Sequence, residues 1–188
     1  VAPTLQTERL LLRPVAPGDV DDIHALHTDD DVMRYLSSER ARREDVRDGT
    51  IPRMLAWERQ DPAWGYSAAV ERATGAFLGW FTLRPAMDRE PVPGELEIGW
   101  RFHRAAWGRG YATEGAAALL HHAFAALGAD AVFATTMAVN TPSRRVMERL
   151  GMRHVRTYTE HHDHPLPGTE HGEVEYRIER AEYRARSS

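Results

Sequence analysis

No cysteine occurs among the 188 residues. That absence excludes disulfides, thiolate metal sites and a cysteine nucleophile together, and it fits a reducing compartment, so a cytoplasmic protein is expected. Lysine is missing as well: all 24 basic residues are arginine, a bias that follows the alanine- and arginine-rich composition before it argues for selected bidentate recognition. No run of roughly 18 to 20 unbroken apolar residues is present, and the first residues carry no charged-then-apolar leader, so neither a membrane span nor a signal segment is expected. A positive surplus is absent too. The net charge is −4, which speaks against nonspecific binding to a nucleic-acid backbone. What is present, 42% hydrophobic and 28% charged residues with 14 Gly and 11 Pro, suits one globular domain over residues 1–188, because a chain of this size buries roughly 70% of its unfolded surface without staples.

The order of local patterns reads as α+β. Leu10 to Pro14 is a short apolar run stopped by proline, a plausible edge strand, and Pro17-Gly18-Asp19 opens a helix carrying Val20, Ile23, Leu26 and His27. Residues 29–60 suggest broken helices over a core. Tyr66 to Val70 and Phe77 to Leu83 flank a glycine turn as strands, and residues 86–94 read as a loop. Leu96, Ile98 and Trp100 then alternate with Glu95, Glu97, Gly99 and Arg101, the period of a half-buried strand that puts Glu97 off the apolar face. From Ala112 the apolar positions 116, 119, 120, 123, 124 and 127 trace one face of a helix ended by Gly128. Val132 to Met137 is a strand, Asn140-Thr141-Pro142 starts a second helix, and Met152 to Tyr158 and Glu173 to Ile178 are the last strands.

The junction Trp107-Gly108-Arg109-Gly110-Tyr111-Ala112-Thr113 joins a strand to a helix. Backbone N–H groups converge there at the positive end of the helix, a natural oxyanion site, although many such turns use glycine merely to bend. The run is not a nucleoside-triphosphate loop, and Thr113 stands where the dinucleotide fingerprint wants its third glycine, so neither ligand fits well. Glu97-Ile98-Gly99-Trp100, the Trp107 to Glu114 run, and Asn140-x-x-Ser143 with Leu150-Gly151-Met152 together resemble the GNAT acetyltransferases. The similarity is greatest to their RimJ/RimL branch, through Thr7 to Pro14 with Asp19 and through Glu175 to Ile178 with Glu182-Tyr183, and it covers about residues 5–184.

That resemblance implies a mixed twisted sheet splayed open between the Glu97 strand and the Val132 to Met137 strand, with acetyl-CoA in the opening. It implies that the 108–113 turn binds the diphosphate and that Trp100, Arg101 and Phe102 pair with pantetheine amides. Trp107 stands where the broader family usually carries Gln or Arg, and an aromatic there suits the RimJ/RimL branch. The implied reaction is acetyl transfer to a primary amine, either a protein N-terminus or a small molecule, by direct transfer in a ternary complex. A catalytically silent acyl-CoA-binding sensor or scaffold is the alternative.

Glu97 is the candidate base, with Glu95 or a water ordered by either residue as substitutes. By the resemblance Ser143 lies near the sulfur. Asn140 can hold a pantetheine amide or cap a turn; Arg145 or Arg144 can reach a phosphate, and Arg109 is the better candidate for that. Thr113 adds a hydroxyl at the helix start. Tyr35, Trp57 and Trp64 fall in the variable region expected to wall the acceptor. His161-His162-Asp163-His164 offers ligand types without a rigid spacing, so no metal is expected, and His162 is a candidate for the acceptor mouth. Monomer and homodimer both remain open.

Overall fold

The computed structural model describes residues 4–61, 63–159 and 165–187. The strands are β1 (Leu5–Gln6), β2 (Leu10–Pro14), β3 (Gly65–Glu71), β4 (Phe77–Arg84), β5 (Glu95–Phe102), β6 (Ala131–Met137), β7 (Arg153–Tyr158) and β8 (Glu173–Glu179). They form one sheet in the order β1-β2-β3-β4-β5-β6-β8-β7. Hairpin neighbours pair antiparallel, and the single parallel pair is β5 with β6. Parallel neighbours need a crossover, and α5 (Tyr111–Ala125) supplies it. β2 is not an edge: it pairs with β3 on one side and β1 on the other. A two-residue strand is too short to leave a periodic signal, so the sequence gives no sign of β1. The Thr7 hydroxyl, which accepts from the Leu10 N–H at 2.9 Å, shapes the turn between them.

β5 and β6 pair only at Glu95–Ala131, Leu96–Val132 and Glu97–Phe133. β5 runs on to Phe102 and β6 to Met137 without each other, so the sheet opens between them from Glu97 onward, as the resemblance implied.

Two apolar cores cover the two faces. On one, α5 and α6 (Thr141–Arg149) pack with Leu120 and Met147 over Leu10, Leu12, Phe81 and Ile98 of the sheet. Each of these fully buried side chains contributes roughly 1.5–3 kcal/mol. The α5 face carries Ala116, Leu119, Leu120, Ala123 and Phe124 inward, the positions its periodicity marks. The other face lies under α1 (Val20–Thr28), α2 (Asp30–Met33), α3 (Arg43–Asp45) and α4 (Ile51–Gln60), α3 reaching α4 through a π turn at Val46–Thr50. This second layer covers the polar face of β4 and reaches Arg101 of β5, while Glu97, Gly99 and Arg101 stay partly exposed, so β5 is half-buried as its alternation predicts. α7 (Arg180–Ser187) closes the chain beside β8. No helix among the described residues is long and apolar enough to cross a membrane.

His27, on the last turn of α1, is only 8% exposed and its Nε2 has no hydrogen-bond partner. Burial first, then the positive charges of Arg101 and its neighbours, push its pKa down from 6.5 to about 4. The folded state therefore disfavours the imidazolium. Its contribution is whole above pH 6.5 and is lost as the pH falls towards 4, an effect of about 3 kcal/mol. Urea unfolding of the wild type and His27→Gln at pH 7 and pH 4 should show the variant losing clearly less stability on acidification. Equal losses in the two proteins would refute this assignment.

Candidate active site

Register places three cross-strand pairs on the roofed face: Arg84 opposite Glu97, Thr82 opposite Gly99, and Trp80 opposite Arg101. Glu97 sits where β5 and β6 part, the last residue of their pairing. Its Oε2 accepts from Arg84 Nη1 at 2.8 Å, and both side chains are nearly buried. Arg84 also donates to the Pro85 carbonyl at 3.0 Å, and its guanidinium lies 5.6 Å from the Trp57 ring centre. Burial raises the Glu97 pKa; the Arg84 charge opposes it and Asp88 adds to it. A carboxylate so placed is ionised by its partner yet more basic than one in water. Trp57 thus joins Glu97 through Arg84, a residue the sequence reading did not single out. Only the alternation of Trp80, Thr82 and Arg84 with Phe81 and Leu83 hints at it.

Glu95 is held differently. Arg89 and Arg177 each donate to it, on separate oxygens. Buried at the closed end of β5 between two guanidinium groups, it ties the 86–94 loop and β8 to the sheet.

At the other end of the opening the backbone of the 107–113 turn is set by Gly108 (φ +71°) and Gly110 (φ +82°). Both lie in the left-handed region that favours glycine. A Cβ at 108 would meet nothing within 4 Å, so this glycine faces open space. Gly110 is the N-cap of α5 and no side chain caps the helix. The first N–H groups of α5, on Tyr111, Ala112 and Thr113, therefore present the positive end of a 15-residue helix. Arg9 donates to the Arg109 carbonyl at 2.9 Å and pairs with Glu114 at 2.6 Å, bracing the turn against the first residues of the chain. Arg109 is exposed, 3.6 Å from Glu71. A diphosphate fits this cradle of free N–H groups and nearby guanidinium ions.

The side chains of the turn have other duties. Tyr111 is buried in the core, hydroxyl to Glu71, so any anion contact from it comes from its N–H. Trp107 is exposed, and its indole N–H donates to the Phe102 carbonyl at 2.9 Å, fastening the turn to the end of β5. That bond already uses the Phe102 carbonyl expected to face pantetheine. Trp100 is half-buried on the α5 side, whereas Arg101 points to the roofed face. Across the opening, Asn140 caps α6: Oδ1 accepts from the Ser143 N–H at 3.3 Å and Nδ2 donates to Thr136 Oγ1 at 2.9 Å. Capping and sheet attachment therefore take up the Asn140 amide first. Ser143 is half-buried in the first turn of α6 and Arg145 is exposed. Arg144 is engaged with the Tyr176 hydroxyl and the Ala138 carbonyl. Tyr35 follows α2, and the Arg34 guanidinium lies over its ring. His162 and the rest of the histidine cluster lie outside the described residues; among those described, no group of three His, Asp or Glu could hold a metal ion.

Comparison with known proteins bears on this geometry. The acetyltransferase (GNAT) domain family matches residues 9–153. The FsC-acetyl coenzyme A-N(2)-transacetylase of Aspergillus fumigatus is 35% identical over 185 residues, 96% of this chain and 78% of that protein. A GNAT-family acetyltransferase structure from Bacillus anthracis superposes with a TM-score of 0.76 at 25% identity, covering 95% of this chain and 99% of that one. An aminoglycoside acetyltransferase in complex with coenzyme A shares the fold, with a TM-score of 0.73 at 18% identity over 95% of this chain and 99% of that one.

Proposed function

The chain belongs to the GNAT family of acetyl-CoA-dependent N-acetyltransferases, and from that premise we propose that it acetylates the primary amine of a small molecule with Glu97 as the base. Support for a nitrogen acceptor comes from the 35% identical relative, which is named as an FsC-acetyl coenzyme A-N(2)-transacetylase. The RimJ/RimL-like placement rests on the Thr7 to Pro14 and Glu175 to Ile178 motifs. Arg9 and Glu175 hold structural positions in both, at the turn brace and in an ion pair with Arg156 at 2.7 Å.

Glu97 carries the reading, because it is a nearly buried carboxylate at the parting of β5 and β6 with a single guanidinium partner. Acetyl-CoA, when bound, supplies an activated thioester. The N–H groups of residues 108–113 and Arg109 hold its diphosphate. The acceptor nitrogen needs its lone pair, and Glu97, its basicity raised by burial, takes the proton directly or through one water. An α-amine, with a pKa of about 8, asks less of that base than an alkyl amine above 10. As the new C–N bond forms and the C–S bond breaks, the Ser143 hydroxyl donates a hydrogen bond to the departing sulfur.

Thiol release from acetyl-CoA across amino acids, short peptides, polyamines, aminoglycosides and N-terminal ribosomal-protein peptides tests this. Release with small amines is expected. Release with the ribosomal peptides alone would overturn the small-acceptor reading, and tight binding of coenzyme A with no release from any amine would favour a silent sensor.

A further inference from the structure

Among the described residues, the buried side-chain polar atoms without a hydrogen-bond partner are His27 Nε2, Trp80 Nε1, Thr82 Oγ1, Arg84 Nε, Arg101 Nε and His122 Nε2. Folded proteins keep such atoms few and scattered. Here all but His122 share the roofed face of β4 and β5 or belong to α1 above it. Arg101 is the most demanding of them. Its Nη1 lies 3.5 Å from the Met33 sulfur and its guanidinium 4.9 Å from the Trp80 ring centre, and among the described residues no carboxylate pairs with it. Desolvation, offset only in part by Tyr66, pushes its pKa down to about 10. Arg13 and Arg84, on the same face of the sheet, each pair with a carboxylate.

Access runs along β5. The β4 members Trp80, Thr82 and Arg84 are buried, whereas Glu97, Gly99 and Arg101 are partly exposed. Gly99 puts no side chain on the floor between the two charged residues; a Cβ there would press on Thr82 at 3.1 Å. Four residues of strand separate Glu97 from Arg101 by roughly 13 Å, and each head group leans towards its own β4 neighbour.

We propose that Arg101 is a specificity-determining residue that binds a carboxylate of the acceptor, so that the acceptor is an extended amino acid or short peptide whose amine at Glu97 and acid at Arg101 lie on the order of 10 Å apart. The guanidinium fork matches a carboxylate in shape and charge. Gly99 accommodates the backbone between the two ends. This rests on Glu97 receiving the amine.

Oligoglycines of one to four residues, each as free acid and as C-terminal amide, measure it on the wild-type enzyme by thiol release. Around the tripeptide, the acid should show a KM at least 10-fold below its amide, with single glycine gaining little. Arg101→Met and Arg101→Lys should raise the KM of the acid towards that of the amide. Acids and amides of equal KM in the wild type would overturn the proposal, whatever the variants do. Turnover of unrelated amines without any oligoglycine would overturn it and leave the amine-acetylation reading standing; no turnover of any amine would remove both.

Discussion

Glu97→Gln lowers kcat by at least two orders of magnitude at neutral pH and leaves the KM for acetyl-CoA near its wild-type value. General-base assistance supplies roughly 10²–10⁴ in rate, and glutamine keeps the shape of the side chain while removing the proton acceptor. The turn at 108–113 proposed to hold the diphosphate lies at the far end of β5, so donor binding is expected to hold. A pH profile sharpens the test. Burial sets the Glu97 pKa above the ordinary carboxylate range, so the base is protonated at low pH and the rate climbs as the pH rises through that pKa. The variant should lose that acid limb. Stability also responds, because Arg84 is then left buried beside a neutral amide, at a cost of about 1–3 kcal/mol; the kinetics therefore belong well below the melting transition. Glu95→Gln is the contrast: it releases Arg89 and Arg177, so melting falls while the acid limb of the profile stays. An unchanged kcat in Glu97→Gln would move the base elsewhere.

The contrast between these glutamates shows where sequence reading stops. Alternation along Glu95 to Arg101 places Glu95, Glu97, Gly99 and Arg101 on one face, and the structure keeps them there. Period two is a local property and survives without knowing the partner strand. Which glutamate is boxed in by arginines is not local. It depends on the register of β4, on the 86–94 loop and on β8, the last of them some eighty residues away. The same limit explains Trp107: its place in the turn motif was legible, its bond to the Phe102 carbonyl was not. Asn140 shows a local ambiguity resolved by geometry, since a residue able to cap a helix or hold a ligand is found capping. The helical roof over β4 was legible only as scattered apolar points in residues 29–60, because short helices broken by a π turn carry no sustained period.

Enlarging Gly115 is the second change expected to have a large effect. Gly115 is buried in the first turns of α5, and a Cβ there would overlap the Phe81 ring and stand 3.3 Å from Leu10 Cδ1. Phe81 cannot swing aside: it is fully buried and packs edge-on against Phe102 at 5.1 Å. Alanine would gain about 1 kcal/mol in helix propensity, but overpacking costs about 1–3 kcal/mol, so Gly115→Ala should be mildly destabilising. Gly115→Leu adds several more atoms to the same contact and should lose more than about 3 kcal/mol, a fall in Tm of roughly 6–12 °C for a domain of this size. The helix can relieve the clash only by lifting off the sheet. That displaces the N–H groups of Tyr111 to Thr113, so the KM for acetyl-CoA rises in Gly115→Ala as well, at temperatures where it stays folded. Combining Gly115→Ala with Phe81→Leu should recover part of both losses, with a coupling of about 0.5–3 kcal/mol. If the single variant melts and binds donor as the wild type does, the close seat of α5 on β4 is not what sets the cradle. The dinucleotide turn uses its third glycine for this helix-to-strand approach. Thr113 occupies that position here, and the approach is made two residues later, at Gly115.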